Sequence, residues 1–182
     1  MPTYVAMLRG INLGPHKRVK MEALRKSFES IGLKNVQTYI QSGNVVFKAG
    51  RISPAALRKK IEARIAGDFG FSSLAILRSQ EELGKVVNGN PFLKRAGNSH
   101  EKLHVVFLSE TPERDVLRQL EGLTKSPDES CCLDQEIYLH LPNGFGQSSM
   151  MNNPIERKFL AQATTRNWRT VNNIYQMCLD CE

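Results

Sequence analysis

The residues best suited to chemistry lie in one stretch near the N-terminus, Arg9-Gly-Ile-Asn-Leu-Gly-Pro-His-Lys-Arg18, with Lys20 two positions on. An apolar run from Thr3 to Leu8 precedes it and a helical pattern follows, the setting in which loop amides and a helix N-terminus hold phosphates. Arg9, Lys17, Arg18 and Lys20 supply positive charge, and Asn12 supplies a neutral polar side chain. The spacing is not that of a nucleotide-binding loop. Gly10 and Gly14 enclose three residues, Pro15 brings no amide hydrogen, and neither GxxxxGK[ST] nor GxGxxG occurs. The stretch reads as a general anion site, set against a plain surface loop shaped by its glycines.

Two further polar groups stand out. Gln41-Ser-Gly-Asn44 places Ser42 and Asn44 at a hairpin tip, where turn chemistry alone accounts for such residues. Thr164-Thr-Arg-Asn-Trp-Arg-Thr170 sets the only tryptophan, Trp168, between two arginines. Arg166, Asn167 and Trp168 suit stacking or phosphate contact. The structural alternative has Trp168 filling a core while Arg166 and Asn167 tie down backbone, with Thr170 as N-cap of the last helix.

Other chemistries find less support. Cys131-Cys132 and the terminal Cys178-Leu-Asp-Cys181 raise a zinc or redox site. Adjacent cysteines on a strand point to opposite faces, and a CxxC at a helix C-terminus meets the end of the dipole that disfavours thiolate. His16, His100, His104 and His140 have no ligand spacing, and no GxSxG or recognised carboxylate pair is present. The sequence therefore gives no reason to expect a metal or cofactor, and it names no catalytic residue.

Charge concentrates the argument. The net +7 comes from 25 Lys and Arg against 18 Asp and Glu. Within the first 52 residues nine cations face only Glu22 and Glu29, while the remainder balances at 16 against 16. Such asymmetry favours an anionic partner through steering and phosphate contact, and the alternative is a solvated basic surface. The apolar runs are far shorter than a membrane span and Arg9 closes the first one, so a cytoplasmic protein without a membrane partner is expected.

The elements that must position these residues follow from periodicity. Thr3–Leu8 predicts a buried strand, and Met21, Leu24, Phe28 and Ile31 recur at helical spacing up to Gly32. Val36–Ile40 and Asn44–Lys48 predict a hairpin, and Ser53-Pro54 opens a helix with Leu57, Ile61 and Ile65 on one side. Ser73–Arg78 is a fourth strand, followed by a capping box, Ser79-Gln-Glu-Glu82. The order β-α-β-β-α-β is that of a ferredoxin-like, split βαβ unit. The pattern then begins again at His104-Val-Val-Phe-Leu108, 100 residues beyond Tyr4–Leu8. A helix from Thr111-Pro112 carries Val116, Leu117, Leu120 and Leu123; strands cover Ser130–Leu133 and Glu136–Leu141; a helix from Asn153 carries Ile155, Phe159 and Leu160. A polar segment and a last helix close the chain. The expected fold is α+β, two ferredoxin-like halves from a duplication, with antiparallel sheets and helices on one face. Residues 1–88 form the first half with the basic loop, 89–102 a linker, and 103–182 the second half with the C-terminal helix. The aromatic platform of RNA-recognition motifs is missing, since the first and third strands offer only Tyr4 and Phe47.

Leu8-Arg-Gly-Ile-Asn-Leu-Gly14, Val19-Lys-Met21, Thr38-Tyr-Ile-Gln-Ser-Gly-Asn-Val-Val-Phe47, Asn90-Pro-Phe92 and Thr165-Arg-Asn-Trp-Arg-Thr-Val171 closely resemble the uncharacterised bacterial domain-of-unknown-function family 1697 over nearly the whole chain. The resemblance implies duplicated ferredoxin-like halves and no particular activity. Its polar motifs match here at Arg9, Asn12, Lys20, Ser42, Asn44, Asn90, Arg166, Asn167 and Thr170. After Gly144-Phe-Gly146 this chain reads Ser148-Ser149-Met150 where the family pattern often has Ser or Thr followed by Lys.

Two functional expectations follow. The leading one is binding of an anionic ligand, nucleic acid or a phosphorylated small molecule, through Arg9, Asn12, Lys17, Arg18 and Lys20, with Ser42 and Asn44 nearby and Arg166, Asn167 and Trp168 as a second contact. The alternative is an enzyme acting on a small polar substrate in a cleft between the halves. The sequence leaves oligomeric state open.

Overall fold

A computed structural model describes residues 1–94, 99–113, 115, 124–148 and 162–181. Of the helix expected over 111–123, residues 114 and 116–123 lie outside the described residues, as does the helix expected from 153. The remaining elements form two compact units, residues 1–85 with 173–182, and residues 86–172.

The first unit opens with β1 (Thr3–Leu8), α1 (Met21–Ser30), β2 (Lys34–Tyr39), β3 (Asn44–Lys48), α2 (Pro54–Phe69) and β4 (Ala75–Ser79), and α3 (Gln80–Gly89) begins in it. The sheet is antiparallel in the order β2-β3-β1-β4, so the two hydrogen-bonded neighbours of central β1 come from distant parts of the chain. Its side chains sort by the two-residue period of a strand. Ala6, Leu8, Val45 and Phe47 face Leu24 and Phe28 of α1 and Leu57, Ile61 and Ile65 of α2 in one buried cluster. Phe28 meets Phe47 edge-on with ring centres 5.5 Å apart. The opposite face, with Val5, Met7, Val46 and Ile76, is equally buried.

Helix boundaries follow the capping signals. Ser53 Oγ accepts the Ala56 amide at 3.3 Å, Pro54 stands at the first helical position, and Gly70 ends α2 at φ +72°. Ser79 and Glu82 form the reciprocal capping box: Ser79 N–H donates to Glu82 Oε2 at 2.7 Å, and Glu82 N–H to Ser79 Oγ at 3.2 Å.

The second unit repeats the strand order. β5 (Leu103–Leu108), β6 (Glu129–Leu133), β7 (Glu136–His140) and β8 (Ala163–Asn167) lie as β6-β7-β5-β8, so the chain carries two similar halves with four-stranded antiparallel sheets. Val106, Leu108, Ile137, Leu139, Leu141 and Ala163 form its core cluster. β8 corrects the sequence reading, which left 163–167 as a polar segment. Its threonines are strand formers, and pairing of Ala163–Asn167 with β5 supplies the edge that completes the sheet.

The last helix, α4 (Trp168–Leu179), starts three residues earlier than a Thr170 cap implies. Asn167 Oδ1 accepts the Thr170 amide at 2.8 Å, so Asn167 fills the capping role and Thr170 lies in the first turn. From Asn173 onward the chain groups with the first unit. There the Asn173 side chain donates to the Tyr39 hydroxyl and Cys181 Sγ lies 3.8 Å from the Asn35 carbonyl.

Candidate functional site

The loop from Arg9 to Lys20 is pinned at a few points and exposed between them. Ile11 and Val19 are buried, at 2% and 4% exposure, while Leu13 to Arg18 face solvent. Asn12 ties the ends together. Its side-chain amide donates to the Val19 carbonyl at 3.0 Å and to the Gln41 carbonyl at 2.8 Å, and its Oδ1 accepts the Val19 amide at 2.7 Å. Its own N–H donates to the Lys17 carbonyl at 2.9 Å, which closes the loop on itself. Asn12 adopts φ +54°, a left-handed conformation that asparagine tolerates better than most residues.

The β2–β3 turn is the second wall. The Leu8 amide donates to the Gly43 carbonyl at 2.8 Å. Gly43 sits at φ +79°, and a Cβ there would lie 2.5 Å from Ile11 Cδ1, so glycine lets the turn close against the loop. Asn44 is fully buried and donates to the Tyr39 carbonyl and to Ser42 Oγ, both at 3.0 Å. Ser42 and Asn44 thus shape the turn.

Between loop, turn and the start of α1 lies a pocket of about 540 Å³, lined by Asn12, Gly14, Arg18, Val19, Lys20, Met21 and Gln41. Two of the seven residues are cationic, none is acidic, and none is aromatic. Lys20 occupies the position before α1 in an extended conformation without a side-chain cap. The first-turn amides of α1 therefore keep their capacity for an acceptor.

The charge balance around the pocket is one-sided. Glu22 and Glu29 are the only carboxylates in the first 52 residues, and they are engaged along α1 with Lys26 and Arg25. Hydrogen bonding and attraction from Lys26, with weaker attraction from Arg25 and Lys20, hold the Glu22 carboxyl below its ordinary range. Among the described residues, neither Arg18 nor Lys20 has a side-chain hydrogen bond or ion pair.

The sequence-derived residues thus divide. Asn12, Arg18 and Lys20 line the pocket; Gln41 does too, a residue that the sequence reading passed over as part of the turn. Lys17 turns away, its ammonium 3.3 Å from the Ser72 carbonyl and 5.5 Å from the centre of the Phe71 ring. Arg9 lies at the end of β1, its N–H donating to the Leu74 carbonyl and its carbonyl accepting from Ser73. Arg166, Asn167 and Trp168 belong to the second unit. Arg166 is buried, donates to Thr164 Oγ1 at 2.7 Å and the Thr165 carbonyl at 2.9 Å, and burial pulls it down to about 10. Asn167 caps α4, and Trp168 is buried.

Cys131 and Cys132 are adjacent on β6, and none of the four cysteines is in a disulfide. Burial, with a smaller contribution from Cys181, pushes the Cys178 thiol up to about 12. Among the described residues no group of three or more His, Cys, Asp or Glu is placed to hold a metal ion. Likewise, no described helix is long and apolar enough to cross a membrane.

Comparison with known proteins places this geometry in context. The family described as Protein of unknown function (DUF1697) matches residues 1–138. The conserved bacterial protein SP0830 from Streptococcus pneumoniae is similar in structure, with a TM-score of 0.80 at 25% sequence identity, covering 97% of this chain and 98% of that one. No curated protein matches the chain.

Proposed function

The chain belongs to the DUF1697 family of proteins of unknown function, and we propose that its first unit binds an anionic ligand in the pocket between the Arg9–Lys20 loop, the Gln41 turn and the start of α1. The observation that carries the reading is the lining: Arg18 and Lys20 reach a concave site lined by no carboxylate, and among the described residues neither cation has a side-chain hydrogen bond or ion pair. Lys20 is only weakly drawn to Glu22, which pairs with Lys26, and two cations that share a pocket repel unless solvent or an anion intervenes. Asn12 acts as a positioning residue, because its amide is spent on Val19 and Gln41 and so holds both walls in place.

Thermal unfolding tests this. An anion that binds only the folded chain raises its Tm by mass action. Inorganic phosphate is expected to raise the Tm more than chloride at matched ionic strength, and Arg18→Ala with Lys20→Ala is expected to reduce the excess. Phosphate also stabilises proteins generally by exclusion from their surface, an effect that the double variant retains. Equal phosphate responses in the two proteins would overturn the reading.

A further inference from the structure

We infer that the pocket takes a compact phosphomonoester with a polar, non-aromatic body, in preference to nucleic acid; this rests on the reading of the pocket as an anion site and narrows it. The first argument is charge matching. A phosphomonoester near neutral pH carries close to two negative charges, and the lining presents two cations, one of them an arginine able to grip two phosphate oxygens. The second argument is the rest of the lining. Gln41, whose Oε1 accepts a long 3.5 Å contact from the Asn12 amide, keeps its own NH2 for hydroxyl groups, Val19 and Met21 offer a small aliphatic surface, and the lining has no ring on which a base could stack. The concavity is open to solvent, and its volume of about 540 Å³ has room for a small molecule.

The third argument is what surrounds the pocket. A groove for nucleic acid needs cations that track successive phosphates, usually with aromatic side chains exposed between them. Here the cations scatter. Arg25 and Lys26 are paired along α1, and Lys17 is drawn to Phe71 and Ser72. Lys34 and Lys48 stand opposite each other at the Thr3 end of the sheet, four residues and about 13 Å along the strands from the Asn44 end beside the loop. Of the sheet aromatics Phe47 is buried, and Tyr4 and Tyr39 are partly buried. Tyr4 stacks on Phe47 at 6.2 Å on the helix-covered face, and the Tyr39 hydroxyl is engaged by Asn173.

Amide-resolved NMR of the full chain at near-physiological salt, with glycerol 3-phosphate, adenosine 5′-monophosphate and a short single-stranded oligothymidylate as probes, decides the matter. Glycerol 3-phosphate is expected to saturate shifts at the amides of Arg18 to Met21 and Gln41, with the nucleotide binding no more tightly. Arg18→Ala is expected to weaken this at least about tenfold, the loss of a charge-assisted contact, while the rest of the spectrum stays in place. If the nucleotide binds these amides more than about tenfold tighter than glycerol 3-phosphate, the non-aromatic body is wrong. If the oligothymidylate saturates them where glycerol 3-phosphate does not, the ligand is nucleic acid. Either result overturns this inference and leaves the anion site standing, whereas no saturable shift at these amides from any probe overturns both.

Discussion

Asn12 and Arg18 lie on the same loop and do different work, and the difference is measurable. Asn12 spends its side-chain amide and carbonyl on backbone groups of Val19 and Gln41, so its loss leaves a carbonyl and an N–H of the loop without partners. Asn12→Ala is expected to destabilise the chain by about 1–3 kcal/mol and to lower anion affinity with it. Arg18 is exposed and, among the described residues, has no side-chain hydrogen bond or ion pair, so Arg18→Ala is expected to lower affinity and leave the stability read from urea unfolding within about 0.5 kcal/mol of the parent. Parallel urea unfolding and phosphate titration of both variants checks this; an Asn12→Ala protein of unchanged stability would remove its positioning role. Residue type showed the cations in the sequence but not their direction. Lys17 and Arg18 are adjacent, yet a left-handed turn at Lys17, φ +54°, helps to send one to Phe71 and Ser72 while the other lines the pocket. Gln41 escaped notice because nothing in a glutamine beside a Ser-Gly turn distinguishes a wall residue from a solvated one.

At the scale of elements, periodic and capped segments were legible and unpatterned ones were not. The apolar rows of α1 and α2, the Ser53-Pro54 start and the Ser79-Gln-Glu-Glu82 box are local signals, and each stands where its chemistry puts it. β8 was missed because Thr164, Thr165, Arg166 and Asn167 lack an apolar alternation; only pairing with β5 makes them a strand. For the same reason the start of α4 shifted, since Asn167 and Thr170 are both acceptable caps and the strand's end decides between them. The closest fit between elements near the pocket is Gly43 against Ile11. Gly43→Ala places a Cβ 2.5 Å from Ile11 Cδ1 at φ +79°. The expected cost is about 1–3 kcal/mol, read from the denaturant midpoint, and a midpoint equal to the parent's would show that the turn and loop pack less tightly than described.

The molecule as a whole is two similar halves that differ in charge. The loop that leaves β1 carries Arg9, His16, Lys17, Arg18 and Lys20, whereas the described residues that leave β5, Ser109 to Glu113, carry Glu110 and Glu113 and no cation. The repeated strand order is therefore not matched by a repeated run of cations among the described residues, and the surplus of +7 counted in the first 52 residues belongs to one half only. This asymmetry was plain in the sequence, while the convergence of Arg18, Lys20, Asn12 and Gln41 on one pocket required the fold. An anion site confined to the first unit, as proposed, predicts one ligand per chain. Isothermal titration of the full chain with inorganic pyrophosphate tests the account most directly. The result expected is saturable binding at one ligand per chain, lost in the Arg18→Ala, Lys20→Ala protein. Two ligands per chain, no saturable binding, or binding that survives the double substitution would contradict it.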